Sequence, residues 1–368
     1  MKILILNRHN SSAVNGLKKI ILSFIDLCKN DKKQEFYYGM QRYGPLTNSV
    51  SDKNFIIAFN IKRNISIISD LYNVLKLIFI SYKYKIDVVH AHAAKPGMIA
   101  RVASIFSPFK VIYTPNNWYF EGQTGFKRFV FLNLERILSF IPKQTIVAVT
   151  QSEKDMIISK INNKSKVKII ADGINFSILN QSVEKDSDFR CIESKKQKKR
   201  IIGSIIRLDN QKNPLEILKY SKILRNKKNL HFVIIGDGSL RNDCESYIIK
   251  NNLENISLLG YKSNYSSFLK LFDYTLFTSE NEGLPLVMIE SIYNSKKIIT
   301  KNFRGAKDFV IEDYGKILSG DTIQARAEDL YNYISNDLKI LQINEKDFIN
   351  KFSRESMIKK YLQLYNSL

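Results

Sequence analysis

Short runs of apolar, β-branched residues recur along the chain and alternate with longer stretches of helical periodicity. The run at 3–6 leads into helically spaced apolar positions from about 17 to 29, and the alternation starts again after residue 200. Parallel strands need a crossover connection, usually a helix, so this order predicts βα units and parallel sheets covered on both faces. The predicted strands are 3–6, 88–90, 111–114, 146–149, 167–170, 201–204, 232–235, 256–259, 274–278 and 297–300.

A polar segment interrupts this alternation between about residues 176 and 200. Its charge-dense stretches, 184–188 and 195–200, have no apolar period, which is typical of an exposed linker. At 368 residues the chain is also too long for a single core. We therefore expect two Rossmann-like domains, over 1–180 and 181–350, that face each other across a ligand-binding cleft. Apolar positions between 348 and 365 predict one amphipathic C-terminal helix, placed at 351–368.

Composition narrows the class of protein. With 44% hydrophobic and 25% charged residues, the chain is expected to be globular. No window reaches about 18 uninterrupted apolar residues, so a membrane-spanning helix is not expected. The first residues form only a short apolar run, unlike a secretory signal. Three separated cysteines, Cys28, Cys191 and Cys244, indicate neither a disulfide framework nor a zinc site, and a cytoplasmic protein is expected.

The net charge of +22 is distributed unevenly. Residues 1–180 contain 26 Lys and Arg against 11 Asp and Glu, whereas residues 181–368 contain 31 against 24. A basic excess in the first half indicates a polyanionic partner, either an anionic membrane face or nucleic acid. A Lys-rich composition that only maintains solubility is the alternative. Nucleic acid ranks last, because its binding favours stacking aromatics between cations and the aromatics here follow apolar patterns.

The most informative local pattern lies at 279–290, where Glu282 and Glu290 stand eight positions apart. Gly283 and Pro285 break regular structure after the first carboxylate, and an apolar helix-like run carries the second about two turns along. A strand end, a tight loop and a helix start present free backbone N–H groups beside an acid, which suits a bound phosphate and sugar. Two solvated acids on an ordinary connection are the alternative.

Ser279-x-x-Glu282-Gly283-x-Pro285 followed by Glu290 resembles the donor-binding signature of the retaining glycosyltransferases of family four, the bacterial "group one" set with the GT-B fold. The stretch Gly203-x-x-x-Arg207 followed by Lys212, and the Asp-Val-Val-His-Ala-His run at 87–92, resemble other segments of that family. The resemblance implies an α/β GT-B architecture of two facing Rossmann-like domains with an interdomain cleft. It also implies a terminal helix that returns to the first domain.

In this family resemblance, Glu282, Arg207 and Lys212 are the catalytic residues. Glu282 would contact the donor sugar near the reacting carbon, and the two cations would neutralise charge on the departing nucleotide diphosphate. Glu282 could instead act as a nucleophile. Front-face attack is favoured, because no second carboxylate is visibly paired with Glu282 for a double displacement. The donor-binding residues implied by the resemblance are Gly16, Ser204, Gly236, Tyr261, Gly283, Leu284 and Glu290, the last accepting from ribose hydroxyls.

On the acceptor side, the resemblance points to His92, Lys95 and Asn116. His90 and His92 share one face of a strand and could form a metal pair. With no third ligand in the pattern, a hydrogen-bonded structural role is favoured.

Four positions depart from the family pattern, among them Asn117, which stands where many relatives carry a glycine. Asn15 replaces one of two adjacent glycines, and Asn213 stands where a glycine commonly follows the lysine. Asn116 stands where many relatives carry a histidine, so it would steer the acceptor or sugar by hydrogen bonding alone.

The segment 126–141 mixes bulky apolar residues with Lys127, Arg128 and Arg136. It predicts either a core helix or an interfacial helix that meets anionic lipid. Its place in the more basic half favours the membrane.

Taken with the resemblance, these patterns predict a retaining hexosyl- or N-acetylhexosaminyltransferase that needs no metal or other cofactor. The Asp-x-Asp sequence at 186–188 lies in the predicted linker and is expected to be solvated. The expected donor is a nucleotide-sugar, and the expected acceptor is a lipid-linked saccharide in capsule, O-antigen or related polysaccharide synthesis. The enzyme is expected at the inner face of the cell membrane. A nucleotide-sugar epimerase or a soluble glycoside synthase of similar fold is the alternative.

Overall fold

The structure, a computed structural model, describes residues 1–8, 16–28, 31, 33–50, 55–62, 66–179, 185–310, 314–336 and 341–368. The chain divides into two compact units. The first unit combines Met1–Ile174 with Lys351–Leu368, and the second is Asn175–Asn350. The first unit is therefore discontinuous in sequence, because the C-terminal segment joins the N-terminal one.

Thirteen strands are assigned within these described residues. They are β1 (Lys2–Leu6), β2 (Glu35–Met40), β3 (Ile56–Ala58), β4 (Val88–His92), β5 (Lys110–Thr114), β6 (Gln144–Ala148), β7 (Val167–Ile169), β8 (Arg200–Ile205), β9 (Leu230–Ile235), β10 (Ile256–Leu258), β11 (Tyr274–Phe277), β12 (Lys297–Thr300) and β13 (Gly315–Ile317).

Helices connect these strands throughout the part of the chain that the structure describes. They are α1 (Gly16–Cys28), α2 (Pro45–Ser49), α3 (Ile67–Tyr84), α4 (Ala94–Ser104), α5 (Gly125–Ser139), α6 (Gln151–Met156), α7 (Phe176–Leu179), α8 (Ser187–Lys196), α9 (Pro214–Ile223), α10 (Arg241–Lys250), α11 (Tyr265–Leu269), α12 (Leu286–Tyr293), α13 (Ala306–Val310), α14 (Ile323–Asn336), α15 (Glu345–Phe352) and α16 (Arg354–Asn366), with a 3-10 turn at Tyr119–Gly122 and a π-helical turn at Ile157–Ile161.

The first unit is built on a seven-stranded parallel sheet in the order β3-β2-β1-β4-β5-β6-β7. Helices cover both of its faces, so strand residues are apolar on both sides. In β1, Leu4 and Leu6 pack on the face covered by α3, α4 and α5, whereas Ile3 and Ile5 pack on the face covered by α1 and α16. The chain reverses its direction of travel across the sheet between β1 and β4.

The second unit is a six-stranded parallel sheet in the order β10-β9-β8-β11-β12-β13. Helices α9, α10 and α14 bury one face, and α8 and α11 bury the other. The strand order reverses between β8 and β11. In parallel α/β sheets a ligand binds outside the carboxyl ends of the strands at such a reversal.

The prediction of an α/β protein with two parallel-sheet units is confirmed, while several local predictions were wrong. Ten residues of the predicted linker form helix α8, capped by Asp186, whose carboxylate accepts from the Phe189 amide at 2.8 Å. Its two buried residues, Phe189 and Ile192, are too few to produce a visible apolar period. Strands β2, β3 and β13 were not predicted at all.

The predicted single C-terminal helix is two helices, α15 and α16, which meet at Ser353. The Ser353 hydroxyl caps α16 by accepting from the Ser356 amide at 3.2 Å. Ser353 also forms an isolated bridge with Ile174, at the point where the two chain segments of the first unit meet. Gly173 allows this approach, since a Cβ there would lie 2.6 Å from the Ser353 carbonyl oxygen.

Candidate active site

The loops that follow β8 and β11 carry all three predicted catalytic residues. Arg207 and Lys212 follow β8, and Glu282 follows β11. Because β8 and β11 pair in parallel, their carboxyl ends lie side by side at the strand-order reversal. The second unit therefore brings together residues that are about 70 positions apart in sequence, as the Lys212–Glu282 contact shows.

Hydrogen bonds join the two loops along their length. The Glu280 amide donates to the Gln211 carbonyl at 2.9 Å, and the Gln211 side-chain amide donates to the Asn281 carbonyl at 3.1 Å. The Thr278 hydroxyl donates to the Lys212 carbonyl at 2.9 Å. These bonds fix one loop against the other, so the side chains that the loops carry are positioned together.

Four charged residues form the centre of this arrangement. The Lys212 ammonium pairs with a carboxylate oxygen of Glu282. The Arg207 guanidinium donates through Nε and Nη2 to Asp209, at 2.8 and 2.7 Å. Asp209 also accepts from the Lys212 amide at 3.0 Å.

Sequence reasoning missed Asp209, although it holds both cations in place. Its signal was an aspartate three residues before Lys212, since aspartate carboxylates commonly accept from backbone amides a few residues on in a turn.

The two cations differ in their access to solvent. The Arg207 side chain is 44% exposed and that of Lys212 is 20% exposed. A half-exposed guanidinium presents N–H groups that can fork onto phosphate oxygens, and a partly buried ammonium attracts an anion more strongly than a solvated one. The pair is suited to a ligand with a diphosphate group.

Glu290 lies closer to the start of its helix than predicted. Helix α12 begins at Leu286 after the cap residue Pro285, so Glu290 is little more than one turn along rather than two. The position of Glu290 differs from the prediction because residues 283–285 are not helical. Glu290 is buried, and both of its carboxylate oxygens accept from the Tyr265 hydroxyl at 3.0 Å.

Gly236 is required by a close approach of two loops. Its φ is 143°, and a Cβ would lie 1.7 Å from the Ile206 carbonyl oxygen. Gly238 has the same relation to Leu208, whose carbonyl oxygen would lie 2.5 Å from a Cβ. The loop after β9 therefore supports the segment that leads to Arg207.

Two other predicted donor contacts have different surroundings. The Ser204 hydroxyl is buried and donates to the Leu276 carbonyl at 2.6 Å, between two strands, and its donor-binding role stays a prediction. Tyr261 is exposed just beyond β10. Gly283 and Leu284 lie between Glu282 and α12, as expected from the signature.

The backbone conformation of Asn213 explains why relatives commonly carry a glycine at this position. It has a left-handed conformation with φ of 49°, which asparagine tolerates better than most residues. Its side-chain amide donates to Glu216 at 3.0 Å and to Glu280 at 2.7 Å. The replacement thus preserves the turn and adds two hydrogen bonds.

A second charged cluster, which sequence reasoning missed, lies behind these loops. Glu216 is buried and pairs with Lys301 and Arg326, both at 2.9 Å. Burial acts to raise the pKa of Glu216, but the Tyr220 hydrogen bond and the two cations outweigh it and hold this pKa below its usual value. Lys301 also contacts Glu280 at 2.8 Å, which connects the cluster to the Glu282 loop.

In the first unit, the family resemblance assigns His92 to the acceptor side, and that assignment stays a prediction. Its side chain is completely buried, because strand alternation places it with His90 on the face that α1 and α16 cover. Burial lowers the pKa of His92 to about 3. His90 is hydrogen-bonded at both ring nitrogens, with the Tyr365 hydroxyl at 2.7 Å and the Thr114 hydroxyl at 2.9 Å.

Lys95 and Asn116 are placed differently from each other. Lys95, in the first turn of α4, forms a largely buried ion pair with Asp70 at 2.8 Å, and its assignment to the acceptor side stays a prediction. Asn116 follows β5 with φ of 60°, and its buried amide group has no hydrogen-bond partner among the described residues. Asn7, which sequence reasoning missed, directly follows β1, and its buried side-chain amide also has no hydrogen-bond partner among the described residues. Gly16 begins α1, and the Ser11–Asn15 part of the predicted glycine loop lies outside the described residues.

The described ranges contain neither a cluster of metal ligands nor a membrane-spanning helix. No cluster of three or more His, Cys, Asp or Glu residues there has metal-binding geometry. No described helix has the length and apolar character needed to cross a bilayer. A cavity of about 570 Å³ opens at the amino edge of the first sheet, lined by Tyr82, Lys85, Lys110 and neighbours, and contains none of the predicted site residues.

Comparison with known proteins gives matches across the chain. The family model "Glycosyl transferases group 1" matches residues 186–351, and "Glycosyltransferase Family 4" matches residues 41–177. A relative in Escherichia coli, named UDP-Gal:alpha-D-GlcNAc-diphosphoundecaprenol alpha-1,3-galactosyltransferase, is 26% identical over 96% of this chain and 94% of its own. The capsular polysaccharide biosynthesis glycosyltransferase CapM of Staphylococcus aureus is 28% identical over 83% of each chain.

Solved structures agree on the fold. Anabaena HepE in complex with UDP-glucose superposes with a TM-score of 0.78 at 15% identity, covering both chains completely. A glycosyltransferase from Rickettsia africae ESF-5 gives a TM-score of 0.75 at 19% identity, over 100% of this chain and 98% of its own. The two family matches together cover most of the chain and show that it belongs to the group 1 glycosyltransferases of family 4, while the solved structures show the GT-B fold.

Proposed function

We propose that this glycosyltransferase moves a hexosyl or N-acetylhexosaminyl group from a nucleotide-sugar to a lipid-linked saccharide, in bacterial capsule, O-antigen or related polysaccharide synthesis. The single observation that carries the donor half is the convergence of Arg207, Lys212 and Glu282 at the carboxyl ends of β8 and β11. The acceptor half is supported by the Escherichia coli relative's name, which specifies a diphosphoundecaprenol acceptor.

The charges suit transfer with retention. The acceptor hydroxyl would attack the anomeric carbon on the face from which the diphosphate leaves, and its proton would pass to the departing phosphate oxygen. Arg207 and Lys212 would stabilise the charge that grows on that phosphate. Glu282, held by Lys212, would accept from donor sugar hydroxyls, and Glu290 would accept from the ribose.

The same cations support a reaction without a metal ion. Two fixed positive groups can provide the charge neutralisation that a divalent ion supplies elsewhere. Activity should therefore persist in excess EDTA. Complete loss in EDTA with rescue by manganese would contradict this part of the proposal.

Attachment to the inner face of the membrane is supported by α5. The structure favours the interfacial alternative for this segment, because Phe126 is 79% exposed and Phe129, Ile137 and Phe140 are also exposed. Lys127 and Arg128 lie among these side chains. An apolar surface edged with cations is typical of a helix that meets anionic lipid.

The test of the proposal uses nucleotide-sugars labelled in the sugar and a membrane extract that contains lipid-linked saccharides. We expect label to move into the lipid phase with one donor, and NMR of the product to show the donor's anomeric configuration. Conversion of the labelled donor to an epimer, or transfer only to a water-soluble sugar, would contradict it. Glu282→Gln should abolish the transfer, since it removes the carboxylate while preserving size.

A further inference from the structure

Helix α3 exposes an apolar surface that the sequence pattern did not single out. Eight of its eighteen positions are exposed, and seven of these are large apolar or aromatic residues. Ile68 is 86% exposed and Phe79 is 65% exposed. Single exposed apolar residues are ordinary, but a continuous set on one helix marks an interaction surface.

These side chains form one stripe along the helix. At about 100° per residue, the seven positions from Ile67 to Tyr82 fall within an arc of about 140°. The opposite side of α3 already packs on the first sheet through Val74, Leu77 and Ile80. The stripe is therefore separate from the apolar face through which α3 packs on the sheet of the first unit.

The charge around the stripe has one sign. Lys83 is the eighth exposed position of α3, and Lys85 caps the helix in an exposed position. Lys76 borders the stripe, with its ammonium 5.8 Å from the centre of the Tyr72 ring. The one acidic residue in α3, Asp70, is buried and paired with Lys95.

The stripe continues onto the neighbouring helices. The Tyr82 hydroxyl donates to the Phe106 carbonyl at 3.0 Å, and Phe106 is itself exposed just beyond α4. Helix α4 joins α5 through the buried Arg101–Glu135 ion pair at 2.8 Å. Helices α3, α4 and α5 cover the same face of the first sheet, so their exposed apolar residues belong to one layer.

We propose that the outward stripe of α3 is the principal membrane-docking surface, inserting between the lipids of an anionic bilayer while Lys76, Lys83 and Lys85 contact headgroup phosphates. This inference rests on the proposed function in that the acceptor is lipid-linked. Charge decides between a membrane and a second copy of this chain. In a two-fold dimer paired through α3, the lysines of one copy would face the lysines of the other, and the helix has no exposed carboxylate to offset their repulsion. Anionic lipid headgroups carry the opposite charge and therefore complement these lysines.

The experiment measures co-sedimentation of the full chain with vesicles of phosphatidylcholine alone and of phosphatidylcholine with phosphatidylglycerol. The test variant is Leu75→Asp with Phe79→Asp, at two exposed positions of the stripe. The matched control is Ile178→Asp with Ile249→Asp, two exposed apolar residues of the second unit that receive the same charge change. Thermal melting of both variants checks that each is folded.

We expect the protein to bind the anionic vesicles, the α3 variant to lose at least about 10-fold in partitioning, and the control to match the unmodified chain. Equal binding by the α3 variant would overturn the inference. A dimer that the α3 substitutions convert to a monomer, without vesicle binding, would also overturn it by assigning the stripe to a second copy.

Activity assays separate this inference from the proposed function. With a short-chain, water-soluble acceptor analogue the α3 variant should turn over like the unmodified chain, and with a vesicle-embedded acceptor it should be slower in proportion to its lost binding. Vesicle binding by a chain that transfers no sugar would refute the proposed function alone.

Discussion

The Lys212–Glu282 ion pair shows how a single contact connects the two catalytic loops. Each partner is mostly buried, so removing either one leaves the other charge poorly solvated. Lys212 is the residue whose role is most directly testable, because its backbone is separately held by Asp209 and Thr278. A change of its side chain should leave the loop in place.

Lys212→Met should lower kcat by about 100- to 1,000-fold with a smaller effect on the KM of the donor, since the charge it stabilises grows in the transition state. Steady-state kinetics with a labelled donor would measure both constants. The matched control is Lys222→Met, on an exposed position of α9, which should leave both constants unchanged. An unchanged kcat in Lys212→Met would refute the assigned role.

Buried histidines predict a pH dependence of stability. Burial lowers the pKa values of His92 and His231 to about 3, and burial together with His92 lowers the pKa of His90. The unfolded chain takes up protons near pH 6.5, whereas the folded chain does not. Stability that is complete above about pH 6.5 is therefore lost as the pH falls toward 3, by about 1.4 kcal/mol per pH unit for each histidine.

Urea unfolding at several pH values between about 7.5 and 5 would measure this slope. His92→Leu should make the slope shallower by about one proton for the first unit, because leucine cannot titrate in either state. His231→Leu serves as the matched change in the second unit. An unaltered slope in His92→Leu would show that its ring is not buried as described.

At the scale of elements, the site depends on three loops that support one another. The loops after β8 and β11 are hydrogen-bonded together, and the loop after β9 packs against the segment before Arg207. Gly236 is the point of closest approach. A side chain there would meet backbone, which cannot move aside as a flexible side chain can.

Gly236→Ala should destabilise the second unit by about 2–4 kcal/mol, because it combines a clash with a positive φ. The control is Gly125→Ala, whose φ is 51° but whose Cβ would meet nothing within 4 Å. It should cost only the strain of the left-handed conformation, about 1–2 kcal/mol. Urea unfolding of both variants tests this, and equal losses would contradict the role of the close contact.

At the scale of the whole molecule, the two units differ in how they use the chain. The second unit is continuous from Asn175 to Asn350, whereas the first requires the segment Lys351–Leu368. In the first unit, Tyr361 and Tyr365 of α16 are completely buried and reach Thr114 and His90. Without these two tyrosines, the buried His90 and Thr114 side chains would lose hydrogen-bond partners, which would lower the free energy of unfolding.

A fragment of residues 175–350 should therefore fold alone and melt cooperatively. A fragment of residues 1–174 should not, because α16 is missing from one face of its sheet. Circular dichroism and limited proteolysis would measure both outcomes. Fusing residues 351–368 to the fragment of residues 1–174 through a flexible linker should restore the folding of that fragment. Full stability of residues 1–174 alone would contradict the division of the chain into these two units.

Local sequence was sufficient to predict the elements that a run of apolar residues or a group of turn residues marks. The apolar runs predicted ten of the strands, and the spacing of Glu282, Gly283 and Pro285 predicted a strand, a loop and a helix in that order. Strand β13 was missed because Gly315-Lys316-Ile317 contains a single large apolar residue, whereas the equally short β7 and β10 were predicted from longer apolar runs.

Sequence alone determined the βα order and the residues available to a donor site, because periodicity and turn chemistry act between near neighbours. The tertiary structure alone decided which of those residues are accessible. His92 and Ser204 are covered by packing from distant elements, Lys212 meets an acid about 70 positions away, and α3 has an apolar face left uncovered. Burial depends on what packs against a residue, and that partner is set by the whole fold rather than by the neighbouring sequence.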